Sequence, residues 1–158
     1  MTMAPKDNSR QEMSVSAIRN GTVIDHISNE ATFKVAEILR LDQEEHVVLV
    51  GMNLSSGQVG RKGLIKIESR ELTPEEVNKI ALIAPDATLN IIKDFGVAEK
   101  RRVELPRAVE GIVRCVNPNC VTNKQAVTTA FDVIGSSPPV LRCVYCERVL
   151  SGEDIVLK

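Results

Sequence analysis

The chain has 158 residues, with 20 basic and 21 acidic side chains and a formal net charge of −1. Its 43% hydrophobic and 26% charged residues are typical of a globular protein with one domain or two small ones, and they exclude disorder and collagen-like repetition. The balanced charge gives no overall attraction for nucleic acid or an anionic membrane, and three Phe, one Tyr and no Trp make a poor surface for stacking bases. No apolar run approaches the roughly 18 residues of a membrane span, and the first residues lack the apolar core of a signal peptide, so we expect a cytoplasmic protein.

The residues before 106 alternate strand patterns with two helical patterns. Ser28 is predicted to cap the first helix, and Thr73-Pro74-Glu75-Glu76 is a capping box with proline at the first helical position of the second. In chain order we predict a flexible tail at 1–13, a hairpin or bent strand pair at 15–27 with a turn at Asn20-Gly21, and a helix at 28–41. Strands are then predicted at 46–53 and 64–69, on either side of a glycine-rich loop. A helix from residue 73 follows, and after it come strands at 86–95 and 97–105, which separate near Gly96.

This order of elements favours an α+β fold. We predict a ferredoxin-like sandwich at 14–105, with two helices on one face of a mostly antiparallel sheet. The strand at 64–69 alternates, so Leu64, Lys66 and Glu68 should share one face and Ile65 and Ile67 the other.

A second domain is predicted at 106–158, after Leu105-Pro106. Only short strand patterns follow that point, at 127–134, 140–144, 148–151 and 154–158, and all four cysteines lie there. We therefore predict a small all-β domain. About fifty residues bury too little apolar surface to be secure alone, so a bound metal is expected to stabilise it.

The four cysteines follow the spacing C-x4-C-x22-C-x2-C at Cys115, Cys120, Cys143 and Cys146. Two short knuckles of this kind bring four thiolates around one tetrahedral zinc ion. The alternatives are two disulfides, which a cytosolic chain disfavours, and a redox-active C-x-x-C, which lacks its usual βαβ setting. Four protein ligands leave no open position to activate water, so the predicted zinc is structural.

Basic residues cluster around the glycine-rich loop and on the last strand of the first domain. If those strands are neighbours, Lys66 and Lys100 converge on a polyanion; the alternative is a solvated sheet face. Asp25-His26 is a second polar pair, either a ligand contact or a surface pair. The chain has no G-x-S-x-G, H-E-x-x-H or P-loop motif, and its cysteines are assigned to zinc, so catalysis is not predicted.

Several segments together resemble the regulatory chain of aspartate carbamoyltransferase, over residue 14 to the C-terminus. The resemblance is carried, in order, by RNGTVIDHI at 19–27, SGQVGRKGLIKIE at 56–68 with its loop glycines, IAPDATLNII at 83–92, CVNPNC at 115–120 and CVYCE at 143–147. It implies a nucleotide-binding allosteric domain followed by a zinc domain that contacts the catalytic chain. Some family members carry Tyr where this chain has Phe95, so a hydroxyl-dependent role is not expected there.

The resemblance also implies roles for particular residues. It implies that Asp25 contacts the ribose of a bound nucleotide, that Lys62 contacts the ribose or a phosphate, and that His26 contacts a phosphate. It also implies that Lys66 and Lys100 contact the base and the phosphates. The backbone groups of Ile18 and Val97 are implied to contact the base. On the catalytic chain it implies contacts from Asn117, Asn119 and Glu147. The expected partners are nucleoside triphosphates (CTP, ATP and UTP) and catalytic chains, as two catalytic trimers with three regulatory dimers, in pyrimidine biosynthesis.

A competing hypothesis is a zinc-ribbon protein associated with nucleic acid, in which Lys62, Lys66 and residues 100–102 would follow phosphates. The six basic and five acidic side chains of residues 106–158, with four thiolates around one ion, give that hypothesis little support.

Overall fold

The computed structural model describes residues 17–56 and 60–158. The predicted tail at 1–13 and the tip of the glycine-rich loop at 57–59 lie outside the described residues. The chain divides into two compact units, one reaching to Leu72 and including Ala87–Arg102, the other formed by Thr73–Asp86 and Val103–Lys158. Within the described ranges, no helix has the length and apolar character needed to cross a bilayer.

The first unit is built on a five-stranded sheet. Its elements are β1 (Gly21–Ser28), a 3-10 turn (Asn29–Ala31), α1 (Thr32–Ile38), a second 3-10 turn (Leu41–Gln43), β2 (Val48–Ser56), β3 (Gly60–Glu68), β4 (Thr88–Lys93) and β5 (Gly96–Arg102). The strand order is β2-β3-β1-β4-β5, and every neighbouring pair is antiparallel. This confirms the predicted α+β class with an antiparallel sheet.

The two faces of this sheet differ in burial, as the alternation of β3 predicts. Ile65 and Ile67 are fully buried, whereas Leu64 and Lys66, which alternate with them along the strand, are partly exposed. Ile24 of the central strand β1 is also fully buried. One face of the sheet therefore forms the core, and the other remains accessible.

The predicted hairpin around Asn20-Gly21 is wrong for the described residues. Residues 17–20 form no strand, and Gly21 instead begins β1, where it pairs with both β3 and β4. A Cβ at Gly21 would collide with the carbonyl oxygen of Ile67, so glycine is required by close backbone approach in the middle of a sheet. The Asn20 carbonyl accepts from the Ser69 backbone N–H at 2.9 Å, which ties this corner to the end of β3.

The first helix is shorter than predicted. It ends at Ile38, and Arg40 takes a left-handed conformation (φ 51°) that a continuous helix does not allow. Ser28 makes no side-chain cap; its carbonyl accepts from the Thr32 hydroxyl at 3.0 Å. That bond satisfies the hydroxyl of a fully buried threonine at the first position of the helix.

Close contact between Thr32 and Gly63 fixes α1 against β3. A Cβ added at Gly63 would collide with the Thr32 hydroxyl oxygen. We expect Gly63→Ala to destabilise the first unit by about 1–3 kcal/mol, because overpacking forces neighbours to move. Thermal or urea unfolding of the purified variant measures this.

Two further variants test the cause. Thr32→Gly in the Gly63→Ala background should recover part of the loss, because it removes the colliding atoms. Gly96→Ala is the matched control, since its Cβ would meet only the Lys93 carbonyl oxygen at an ordinary 3.6 Å. Equal destabilisation by both glycine substitutions would contradict the packing explanation.

The second unit combines helix α2 with small sheets. Its elements are α2 (Pro74–Ile83), β6 (Ala108–Glu110), β7 (Val113–Arg114), α3 (Val121–Lys124), β8 (Ala130–Ser136), β9 (Pro139–Cys143), β10 (Val149–Ser151), a 3-10 turn (Gly152–Asp154) and β11 (Val156–Leu157). The strands form the sheets β10-β9-β8-β6 and β11-β7. The core contains Phe131, Leu141 and Leu150 together with three buried cysteines.

Two features of this unit differ from the sequence predictions. The capping box at Thr73 and Glu76 is present, with reciprocal bonds of 3.0 and 3.2 Å, but its helix α2 groups with residues 103–158. Leu82 of that helix joins the core of the second unit, which explains the grouping. The cysteine-bearing part is built on strands as predicted, but it also contains α3, a single helical turn directly after Cys120.

Candidate functional site

The accessible face of the first sheet gathers most of the predicted nucleotide-binding residues. We call it the open face and define it by Val23, Asp25, Lys62, Leu64, Lys66, Thr88, Asn90, Ile92 and Lys100. Its register follows from the strand pairing: Val23 lies opposite Lys66 on one side and Asn90 on the other, and Asn90 lies opposite Lys100. Residues directly opposite in neighbouring strands point to the same side of a sheet. Lys66 and Lys100 therefore stand on one row that crosses four strands.

The two lysines flank an apolar floor. Three strand spacings separate their backbones, about 14 Å at the usual spacing between strands. Between them Val23 and Ile92 pack with Ile18 in one buried cluster, against which Leu64 rests. Lys100 is exposed, whereas Lys66 is half-buried. Cationic groups at both ends of a shallow apolar floor suit an anionic ligand with a flat hydrophobic part.

An ion pair joins β1 and β3 at one end of this face. Lys62 Nζ lies 2.8 Å from Asp25 Oδ1, with only 18% and 19% of the two side chains exposed. The same carboxylate oxygen accepts the backbone N–H of His26 at 2.7 Å. Asp25 is thus held by two donors, and its charge also acts on Lys66.

Lys66 is set apart electrostatically from an ordinary surface lysine. Burial lowers its pKa, and the nearby Asp25 charge only partly opposes that effect. A lysine whose charged form is penalised by burial gains more than an exposed one when an anion arrives beside it.

His26 lies at an irregularity of β1. The pairing with β3 shifts between Ile24 and Ile27, and His26 has φ 56°, a left-handed conformation that is unusual for a non-glycine residue. Its ring Nδ1 lies 3.0 Å from the Thr88 hydroxyl and 4.0 Å from Asp25 Oδ2. The bulge lets Asp25 and His26, adjacent in sequence, be neighbours at one site, which a regular strand would prevent.

The remaining predicted contacts lie at the other end of the face. Ile18 is buried in the floor, and Val97 of the edge strand β5 lies opposite Ile92 with 60% of its surface exposed. Phe95 is also exposed, in the turn before β5. The structure adds Thr88 and Asn90, which sequence reasoning missed. The signal was a polar residue at each of these positions in the otherwise apolar pattern of β4.

The four cysteines of the second unit converge as predicted. Cys115 follows β7, Cys120 precedes α3, Cys143 ends β9 and Cys146 lies in the turn before β10. All four sulfur atoms lie within 4.8 Å of one another. Distances of 3.6 Å (Cys115 to Cys146) and 3.8 Å (Cys120 to Cys143) are far from the roughly 2.05 Å of a disulfide bond.

The spacing of the sulfur atoms fits a tetrahedral metal ion. Four thiolates with metal–sulfur bonds of about 2.3 Å would stand about 3.8 Å apart. Burial raises the pKa of the Cys115 thiol to about 12. Burial also acts to raise the pKa of the Cys146 thiol, but hydrogen bonds outweigh it and lower that pKa to about 7. A metal ion binds the thiolate form, so an ion bound here would keep all four cysteines deprotonated despite the difference between their pKa values. The cluster can hold one ion with four protein ligands.

The three predicted partner contacts lie on the two cysteine knuckles, with different surroundings. Asn119 and Glu147 are exposed, and Glu147 has a left-handed backbone (φ 63°) in the turn after Cys146. Asn117 is half-buried, and its Oδ1 accepts from the Asn119 backbone N–H at 3.0 Å. Tyr145, half exposed between Cys143 and Cys146, is a surface residue that sequence reasoning missed.

Family comparisons match both parts of the chain. A family model described as "Aspartate carbamoyltransferase regulatory chain, allosteric domain" matches residues 13–104, and one described as "Aspartate carbamoyltransferase regulatory chain, metal binding domain" matches residues 107–156. The second match covers the four-cysteine cluster.

Curated relatives agree over nearly the full length. An aspartate carbamoyltransferase regulatory chain of Pyrococcus abyssi is 53% identical over 147 residues, which are 92% of this chain and 97% of the relative. Chains of the same description from Porphyromonas gingivalis (51% over 148 residues; 94% and 98%) and Methanothermobacter thermautotrophicus (49% over 145 residues; 91% and 93%) are similar to it.

The matches of both parts of the chain to regulatory chains, together with the four-cysteine cluster, define the class as a non-catalytic, metal-binding regulatory subunit. The chain belongs to the aspartate carbamoyltransferase regulatory chain family. The competing hypothesis of a nucleic-acid-associated zinc ribbon is not supported by these matches.

Proposed function

We propose that this chain binds nucleoside triphosphates on its open face and conveys their effect to catalytic chains of aspartate carbamoyltransferase. CTP, ATP and UTP are the proposed effectors, and pyrimidine biosynthesis is the proposed pathway. The observation that carries the proposal is the row in which Lys66 and Lys100 flank Val23 and Asn90. The family match supports the regulatory role.

The proposed ligand matches the chemistry of the open face. Lys66 and Lys100 supply charge for the phosphates, and each charge-assisted hydrogen bond contributes roughly 1.5–3 kcal/mol. Asp25 is an acceptor suited to ribose hydroxyls, with Lys62 beside it. Asn90 offers an amide, and Ile18 and Val97 offer backbone groups to a base.

Titration of the assembled enzyme with nucleotides tests this function. CTP and ATP should each change the dependence of activity on aspartate concentration, and no phosphate should be released from either. A nucleotide acts this way only if it binds one quaternary state better than the other, typically by roughly 1–3 kcal/mol. Activity that is indifferent to all three nucleotides at saturation would refute the proposal.

The proposed metal is one structural zinc ion per chain. Four thiolates in two short knuckles are the donor set that zinc favours in closed structural sites. Reduced, metal-binding cysteines also support the proposed cytoplasmic location, where thiols are kept reduced. When bound, the ion supplies no catalytic chemistry, because its ligand positions are filled by protein.

The zinc-bearing unit is the proposed attachment to the catalytic chain. Asn119 and Glu147 are exposed polar groups within or next to the knuckles, where an ion bound by the four cysteines would hold their backbone in place. Groups already fixed before binding lose little entropy on association. The proposed assembly contains two catalytic trimers and three regulatory dimers.

Mercurial treatment should separate the assembly without destroying catalysis. A thiol-reactive mercurial displaces zinc from the four cysteines, so the surface that depends on the ion is lost. We expect release of catalytic trimers that remain active and no longer respond to nucleotides. Sedimentation together with activity assays measures both effects. An intact assembly after complete zinc release would place the interface elsewhere.

A further inference from the structure

We propose that Asn123 is a positioning residue that clamps the first cysteine knuckle, slowing loss of the metal and fixing the surface presented to the partner. Asn123 lies in the single turn α3, and its backbone N–H donates to the Cys120 carbonyl at 2.9 Å. This turn brings the side chain back over residues 115–120. There Asn123 Nδ2 donates to the carbonyl oxygens of Cys115 at 2.8 Å and Asn117 at 2.7 Å.

The chemistry of the clamp requires an amide nitrogen. A side-chain NH2 group carries two hydrogens, and both are used here, one for each carbonyl. A carboxylate at this position has nearly the same shape but no donor, so it would face two carbonyl oxygens unfavourably. Asn123→Asp is therefore a sharper test than truncation alone.

The clamp acts on neighbouring groups through Asn117. The Asn117 carbonyl accepts both from Asn123 and from the Cys120 backbone N–H at 3.0 Å. The Asn117 side-chain oxygen in turn accepts from the Asn119 backbone N–H at 3.0 Å. One exposed side chain thereby holds the backbone around both ligands of the first knuckle and, through Asn117, the exposed Asn119.

The test measures zinc release from the full chain and needs no catalytic partner. Zinc release to excess chelator should be roughly tenfold faster in Asn123→Asp and Asn123→Ala than in the wild type, because each lost hydrogen bond weakens the closed knuckle. Lys124→Ala, the exposed neighbour on the same turn, is the matched control and should release zinc at the wild-type rate.

A spectrum separates positioning from general damage. Each cobalt-substituted variant should keep the wild-type four-thiolate absorption, because the ligands themselves are unchanged. Wild-type release rates in both Asn123 variants would overturn the clamp, and so would loss of a thiolate ligand in the cobalt spectrum.

The claim that Asn123 fixes the surface presented to the partner rests on the proposed function. In the assembled enzyme, catalytic chains should dissociate faster from Asn123→Asp than from Lys124→Ala, and equal dissociation rates would overturn this claim. If wild-type chain fails to bind catalytic chains at all, the proposed attachment fails, whereas the zinc measurement still decides the clamp.

Discussion

Cys146→Ser should abolish stoichiometric zinc binding and unfold the second unit. Cys115, Cys120 and Cys143 lie in the same buried core as Phe131 and its neighbours, so an ion bound by them would support the core directly. Structural zinc contributes roughly 10–16 kcal/mol in small zinc domains, comparable with the whole stability of a typical domain at about 5–15 kcal/mol. Loss of one of four ligands therefore removes most of what holds residues 103–158 folded.

Metal analysis and hydrogen exchange measure the two consequences separately. Zinc content should fall from one per chain to well below half, and amides of β8 and β9 should exchange rapidly. Amides of β1 and β3 should stay protected, because the first unit has its own sheet and buried cluster.

Val144→Ser is the matched control for this substitution. It introduces serine into the same knuckle at an exposed residue that is not a ligand, and it should keep one zinc per chain. Full zinc content in Cys146→Ser would show that the cluster is not a four-thiolate site.

Lys100→Ala and Lys66→Ala should each weaken nucleoside triphosphate binding by roughly 1.5–3 kcal/mol, or about 10- to 150-fold in Kd, as expected for loss of a charge-assisted bond. Calorimetry with CTP and ATP measures the change. In the assembled enzyme, Lys66→Ala should remove the nucleotide response and leave the assembly intact, because the cysteine knuckles are unaltered.

Lys93→Ala is the control for a general effect of charge. Lys93 is an exposed lysine on β4 beside Ile92, and strand alternation directs it away from the open face. Its substitution should leave affinity nearly unchanged. An equal loss in all three variants would indicate nonspecific attraction in place of a defined site.

The lowered pKa of Lys66 gives this site a pH dependence. Burial lowers the pKa, so Lys66 loses its charge at a lower pH than an exposed lysine does. Bound triphosphate favours the charged form and raises the pKa again. Nucleotide affinity should therefore fall as pH rises through the pKa of Lys66, with proton uptake on binding, and Lys66→Ala should lose this uptake.

Local patterns in the sequence were sufficient to predict several features of the structure. The capping box at Thr73 and Glu76 depends on neighbouring residues only, and it forms as predicted. The alternation of Leu64, Ile65 and Lys66 sets the faces of β3, because side chains of a strand alternate whatever its neighbours are. The cysteine spacing predicted the cluster for a similar reason, since short knuckles limit where sulfur atoms lie.

Only the tertiary structure decided which residues meet across strands. Lys66 and Lys100 share a row because β1 pairs with both β3 and β4 in a register that no local pattern specifies. The same long-range pairing placed Gly21 inside the sheet, where sequence reasoning put a turn, and brought Asn90 between Val23 and Lys100. The return of Asn123 onto Cys115 likewise depends on a one-turn helix that is too short to leave a periodic signal. Alternation and cysteine spacing are thus determined locally, whereas the sites formed across strands depend on packing between segments far apart in the chain.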